Sequence, residues 1–223
     1  MLLREAAAAG VPGAGVQAGA LLGRIRRKLT TEEIVSVEIL GGGRSDTRLV
    51  TFANGMKAVF KPPGSLSSTE AEVTLSSLAE ALGVGQVPPI VEREITWQGR
   101  NLGRGSLAYF VSGTQPVFES QVLHQVPPEL NALEFLAIAR DRHVGNYLRG
   151  PGNTMIGIDY SLSFNPASVV RDRVVLGEAR PSPEFLTRLR GLDLDASPFL
   201  AWLSPAQRDA IKGNRQAILD RYR

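Results

Sequence analysis

The chain of 223 residues contains no cysteine. A disulfide framework, a cysteine-ligated zinc site and a thiol nucleophile are therefore excluded. Histidine is almost as scarce, with His124 and His143 alone, so a multi-histidine metal centre is excluded as well. No window of about 18 apolar residues occurs, and no membrane-spanning helix is expected. Charge of one sign is not in excess: 25 Lys and Arg against 22 Asp and Glu leave a formal +3. The densest basic cluster, Arg24 to Lys28, fits a solvated helix face, and nucleic acid is not an expected partner. Arg4 and Glu5 interrupt the apolar start, and Gly10 and Pro12 break it, so no cleavable signal peptide is expected. The expectation is a soluble protein, cytoplasmic or translocated into a host cell.

What is present is the composition of a globular protein, 43% hydrophobic and 21% charged. The length suits one domain, or one domain in two lobes. Residues 1–30 are rich in Ala and Gly and read as a leader or linker, with a short basic helix over 21–28. The organised domain is expected over 31–223.

β-branched runs at 34–40, 47–53 and 56–61 read as three antiparallel strands, the last two joined by the turn formers Asn54 and Gly55. Ser67 or Ser68 caps a helix over 69–82, which Gly83 and Gly85 stop. Further strands are expected over 88–97 and 105–111, an apolar helix over 128–139, and two short strands over 146–148 and 155–158. Ser182 and Ser204, each followed by Pro, open two more helices. The order of elements favours an α+β fold.

Asp141 stands where the apolar helix gives way to a loop, Asn146 follows five residues later, and Asp159 ends an apolar strand. Phosphoryl transfer needs a carboxylate to orient a hydroxyl and take its proton, which fits Asp141. It also needs a few hard oxygen ligands for Mg²⁺, which fits Asn146 and Asp159. Upstream, Gly41, Gly42 and Gly43 with Ser45 form a turn whose N–H groups can approach phosphates. Lys61 ends the third strand and can reach phosphates if Glu70 or Glu72 holds it.

These residues carry a family resemblance. Val59, Phe60, Lys61 and Pro62 resemble the nucleotide-binding "VFKP" strand of the phosphatidylinositol 3-/4-kinase branch of the kinase-like superfamily. Glu72 followed by the stretch from Leu82 to Pro88 resembles the "E…LGxxxVP" segment of type II phosphatidylinositol 4-kinases and Fam20-like kinases, which favours Glu72 as the partner of Lys61. Residues 105–113 resemble the hinge strand, so the backbone at Phe110 and Val111 is expected to take adenine. Residues 141–146 resemble the catalytic "DRHxxN", and Ile158 to Phe164 resemble the metal-binding "IDxxxxF".

The resemblance spans roughly residues 34–165. It implies a two-lobed minimal kinase-like fold: an antiparallel β N-lobe with one helix over about 31–112 and a reduced, mainly helical C-lobe over 113–223. It implies ATP and Mg²⁺ as cofactors. Asp141, Asn146 and Asp159 are then catalytic, Asn146 and Asp159 metal-binding, and Gly42, Gly43, Ser45, Lys61, Glu72, Phe110 and Val111 nucleotide-binding. The expected activity is that of a protein Ser/Thr kinase, and the resemblance extends to short bacterial effectors that act on a host protein such as a chaperone. The alternatives are a phosphoinositide or small-molecule kinase, a pseudokinase scaffold, and a nucleotidyl transferase. Arg142 reads equally well as a phosphate ligand or a structural ion pair, and His143 as a residue that holds its loop.

Overall fold

A computed structural model describes residues 14–40, 46–64, 68–118, 125–165 and 174–223. The order of elements is α1 (Ala14–Thr31), β1 (Ile34–Ile39), β2 (Arg48–Phe52), β3 (Lys57–Lys61), α2 (Thr69–Leu82), β4 (Ile90–Trp97), β5 (Arg100–Tyr109), β6 (Gln115–Pro116), α3 (Pro128–Leu136), β7 (Tyr147–Arg149), β8 (Met155–Gly157), α4 (Pro183–Gly191) and α5 (Pro205–Arg221).

The first five strands form one antiparallel sheet in the order β1-β2-β3-β5-β4. Asn54 and Gly55 make the expected turn: Asn54 Oδ1 accepts from Met56 N at 2.9 Å, and Gly55 has φ 79°. A second hairpin, between β4 and β5, turns at Gln98 and Gly99, both with positive φ. The β5 strand therefore begins at Arg100, ahead of the expected 105, because its polar first half is paired with β4 although its composition is not strand-like.

The segment expected as a leader is helical from Ala14 and enters the fold. Leu21, Ile25 and Leu29 recur at a spacing of four and so share one helix face. Ile25 and Leu29 are buried against Val50, Phe52, Ala58, Phe60, Ile95 and Leu107 of the sheet. Arg26 ties α1 to α2 and β4 through Glu80 at 2.8 Å, Ser76 Oγ at 2.9 Å and Ile90 O at 2.7 Å.

Ser68 caps α2, its Oγ accepting from Ala71 N at 3.0 Å, and Gly83 closes it in the left-handed conformation. The apolar face of α2 (Ala71, Leu75, Leu78, Leu82) does not join the sheet's core. It packs with α3, α4, α5 and Tyr160 and Phe164 in a second, larger core. One helix thus belongs by sequence to the first half and by packing to the second.

In the second half α3 stops at Leu136, three residues before the expected end. Ile138 has φ 52°, which cannot continue a right-handed helix, and Ala137 O accepts from Phe164 N at 2.8 Å. The short strands β7 and β8 lie close to the expected places and pair with each other, and β7 also pairs with β6, which had no sequence signal. The helix α5 begins in the expected capping box of Ser204 and Gln207.

Candidate active site

Lys61 is the last residue of β3, and its partner across the strand pair is Ser106 of β5. Directly opposed residues share a face of the sheet, so both side chains point towards α2. There they meet Glu72, which is 2% exposed. Lys61 Nζ donates to Glu72 Oε1 at 2.6 Å, and Ser106 Oγ donates to Glu72 Oε2 at 2.5 Å. Each carboxylate oxygen has its own donor, as a buried charge requires. Gly105 permits this approach, because a Cβ there would overlap the Lys61 carbonyl. Between the two candidate partners of Lys61, the structure selects Glu72.

Lys61 also crosses to the second half of the chain, donating to Asp159 Oδ1 at 2.9 Å. Burial pulls the Lys61 pKa down, but the charges of Glu72 and Asp159 outweigh it and hold the ammonium above its ordinary value. Burial pushes Asp159 up, and the Lys61 charge outweighs it, so the carboxyl lies below its ordinary value. Ser161 Oγ adds a bond to the same Oδ1 at 3.2 Å.

The Asp141 side chain is 64% exposed. The loop beneath it is built by Asn146, whose Nδ2 donates to Asp141 O, and by His143, whose Nδ1 accepts from Gly145 N at 3.1 Å. His143 thus holds its loop. Ile158 N donates to Asn146 O at 2.9 Å and joins the Asp141 loop to the Asp159 segment. Asp141 and Asp159 both have left-handed backbones (φ 55° and 59°), as do the flanking Ile138 and Phe164. Such strain persists where the surroundings fix it, and it gathers at functional sites.

The sequence left Arg142 between two roles, and the structure gives it the internal one. Its side chain is 5% exposed and pairs with Glu134 Oε1 at 2.8 Å. Its guanidinium donates to the carbonyls of Ile158 at 2.7 Å, Asn146 at 3.1 Å and Asp159 at 3.2 Å. It lies over the rings of Tyr147 and Tyr160, at 4.6 and 4.3 Å from their centroids. Both phenols donate to Glu134, at 2.7 and 3.0 Å. Burial pushes the Glu134 carboxyl up, and Arg142 and the phenols pull back part of that; the Arg142 guanidinium itself is held firmly charged. One arginine therefore braces both segments that carry Asp141, Asn146 and Asp159.

Phe110 and Val111 stand where the chain leaves β5 for the second half. Phe110 N donates to Lys57 O at 3.0 Å, and Val111 O accepts from Thr114 Oγ1 at 3.0 Å. Gly42, Gly43 and Ser45 lie outside the described residues, as does His124. Ser106, Glu134, Tyr147 and Tyr160 carry the site's framework and were not singled out in the sequence. For Glu134 a signal exists: a lone acid on the apolar face of α3.

A divalent cation shared with nucleotide phosphates asks for few protein ligands, all oxygen. The donor set fits: Asp159 offers an exposed carboxylate, and Asn146, its Nδ2 engaged, offers Oδ1. No group of three or more His, Cys, Asp or Glu side chains able to form a protein-only cage occurs among the described residues. No described helix is long and apolar enough to cross a membrane.

No protein-family model matches the sequence, and no curated protein matches it by sequence. Solved structures do match in three dimensions. The Golgi casein kinase with Mn/ADP bound superposes with a TM-score of 0.62 at 14% identity, covering 91% of this chain and 75% of that one. Hydra Fam20 with sugar gives 0.61 at 14% identity, covering 91% and 88%. The Helicobacter pylori proinflammatory kinase CtkA gives 0.50 at 12% identity, covering 87% and 94%. None of these three structures is described as a phosphatidylinositol 3-/4-kinase. At such identities the likeness is one of architecture, and it establishes that the chain has the two-lobed, kinase-like α+β fold.

Proposed function

We propose that this chain is an ATP- and Mg²⁺-dependent phosphotransferase that phosphorylates Ser or Thr hydroxyls of proteins. The observation that carries the reading is Lys61, held by buried Glu72 and reaching Asp159 from the other lobe. An ammonium has three N–H donors; two are engaged by these carboxylates, and the third is the one to reach a phosphate oxygen. Asp159 and Asn146 Oδ1 would hold Mg²⁺, which supplies charge neutralisation at the phosphates. Asp141, exposed at the loop's tip, orients the acceptor hydroxyl and accepts its proton. Phe110 and Val111 offer the backbone edge for adenine, and Gly42, Gly43 and Ser45 are assigned to phosphate contact from the sequence alone. Most of the rate gain would come from positioning and fixed charge, as in other phosphoryl transfers.

Protein rather than lipid substrates are favoured because no Lys/Arg-rich amphipathic helix with an aromatic face for a membrane surface occurs among the described residues. Two of the structural neighbours are described as a casein kinase and a proinflammatory kinase, which supports the same choice and the effector reading.

The test is transfer from γ-labelled ATP with Mg²⁺ to a protein panel, wild type against Asp141→Ala and Asp159→Ala. The expected result is label on protein with the wild type and a loss of about a thousandfold or more in each variant at unchanged fold. Undiminished transfer by either variant would sink the assignment. Label from α-tagged ATP would instead make the enzyme a nucleotidyl transferase. ATP binding without any transfer would make it a scaffold. Phosphoproteomes of cells expressing wild type or Asp159→Ala then identify the substrate, and two identical phosphoproteomes would turn the reading to lipids or small molecules.

A further inference from the structure

The segment between α4 and α5 does something that the phosphotransferase reading does not assign to it. Thr74 is two residues beyond Glu72, on the opposite side of α2, and is 2% exposed. Its Oγ1 donates to Phe199 O at 3.0 Å and accepts from Trp202 Nε1 at 2.6 Å. The Trp202 ring meets Phe164 edge-on, with centroids 6.1 Å apart at 84°. Phe164 ends the turn that begins at Asp159. Its N donates to Ala137 O, and its carbonyl accepts from Gln207 Nε2 of α5 at 2.7 Å.

Trp202 is therefore bonded to the helix that carries Glu72 and packed on the turn that follows Asp159. The contacts close a ring: Lys61 to Glu72, along α2 to Thr74, across to Trp202, on to Phe164, back to Asp159 and to Lys61. The ledge presenting Trp202 is fixed in turn. Leu200 and Leu203 are buried, and Arg208 Nε donates to Leu203 O at 3.0 Å. Trp202 itself remains 41% exposed, more than a residue placed there to fill a core. Its polar edge is used and its position is central, which suits a latch better than filler.

We propose that Trp202 is a positioning residue that couples α2 to the Asp159 turn, so that Glu72 and Asp159 reach Lys61 together. The proposal rests on the phosphotransferase reading for its effect on rate, but not for the coupling itself.

Two near-isosteric variants separate coupling from packing. Trp202→Phe keeps a ring against Phe164 and removes the N–H; Thr74→Val keeps the shape and removes the hydroxyl. Hydrogen exchange is measured on the full chain without nucleotide. ATP turnover with Mg²⁺ is measured in parallel, with Trp97→Phe as the distant control. Each variant is expected to speed exchange about fivefold both in α2 and over residues 159–164, leaving α4 unchanged. The value of kcat falls about fivefold while KM for ATP moves less than twofold, and the double variant is no worse than either single one. Exchange rising in α2 alone, rising everywhere, or losses that add in the double variant would overturn the coupling. If the wild type turns over no ATP, the phosphotransferase reading fails, and the exchange data still decide whether Trp202 couples the two segments.

Discussion

Lys61 and Asp159 are 98 positions apart in the chain and meet at 2.9 Å, across the junction of the two lobes. Lys61 is held above its ordinary 10.5 and Asp159 below its ordinary 3.8. A raised lysine stabilises fully below its ordinary value and loses that contribution as pH rises through the folded one. A lowered aspartate stabilises above its ordinary value and loses that contribution as pH falls through the folded one. The pair is therefore whole from roughly pH 4 to pH 10. The stability difference between wild type and Asp159→Asn should be flat from about pH 5 to 9 and shrink below about pH 4. A slope near neutrality in denaturant titrations would count against this assignment of charges.

The Glu134–Arg142 pair is expected to govern the second lobe. Removing one member of a buried pair strands the other charge, at a cost of about 3–5 kcal/mol. Glu134→Ala, measured by urea unfolding, should lose that much, and more than the loss from breaking the exposed Glu184–Arg188 pair, which is worth under about 1 kcal/mol. Equal losses would mean that Arg142 finds water or another acceptor.

Gly157 tests the same network through space alone. A Cβ there would overlap the Tyr160 hydroxyl that donates to Glu134. Gly157→Ala should destabilise by about 1–3 kcal/mol. Adding Tyr160→Phe should recover part of the loss, because the clashing oxygen is gone. No recovery in the double variant would place the strain elsewhere.

The helix α1 yields a prediction about where the fold begins. Leu29 is fully buried against the sheet. Leu29→Ala should cost about 2–5 kcal/mol, and a chain starting at residue 31 should unfold more readily still. Indistinguishable melting curves for the shortened and full chains would show that the sheet does not need the helix.

How much of this was legible depended on how local each signal was. Lys61, Asp141, Asn146 and Asp159 lie in short motifs with their own turns, and Asn54 with Gly55 dictates its hairpin. Ser106 could not be read because its role depends on the β3–β5 register, which pairs it with a residue 45 positions away. Arg142 was seen but not assigned: its neighbours in sequence say nothing of Glu134, Tyr147 and Tyr160, which folding gathers around it. The Ala/Gly composition of the first 20 residues masked the spacing of Leu21, Ile25 and Leu29 that marks α1 as a packed helix.

The helix α2 is gripped from three directions: Arg26 from α1, Ser106 from the sheet through Glu72, and Trp202 from the segment before α5. A rotation of this helix would have to break contacts with the beginning, middle and end of the chain at once. The joined Lys61, Glu72 and Asp159 are thereby the resting form of the molecule, and no turn of α2 is needed to bring them together.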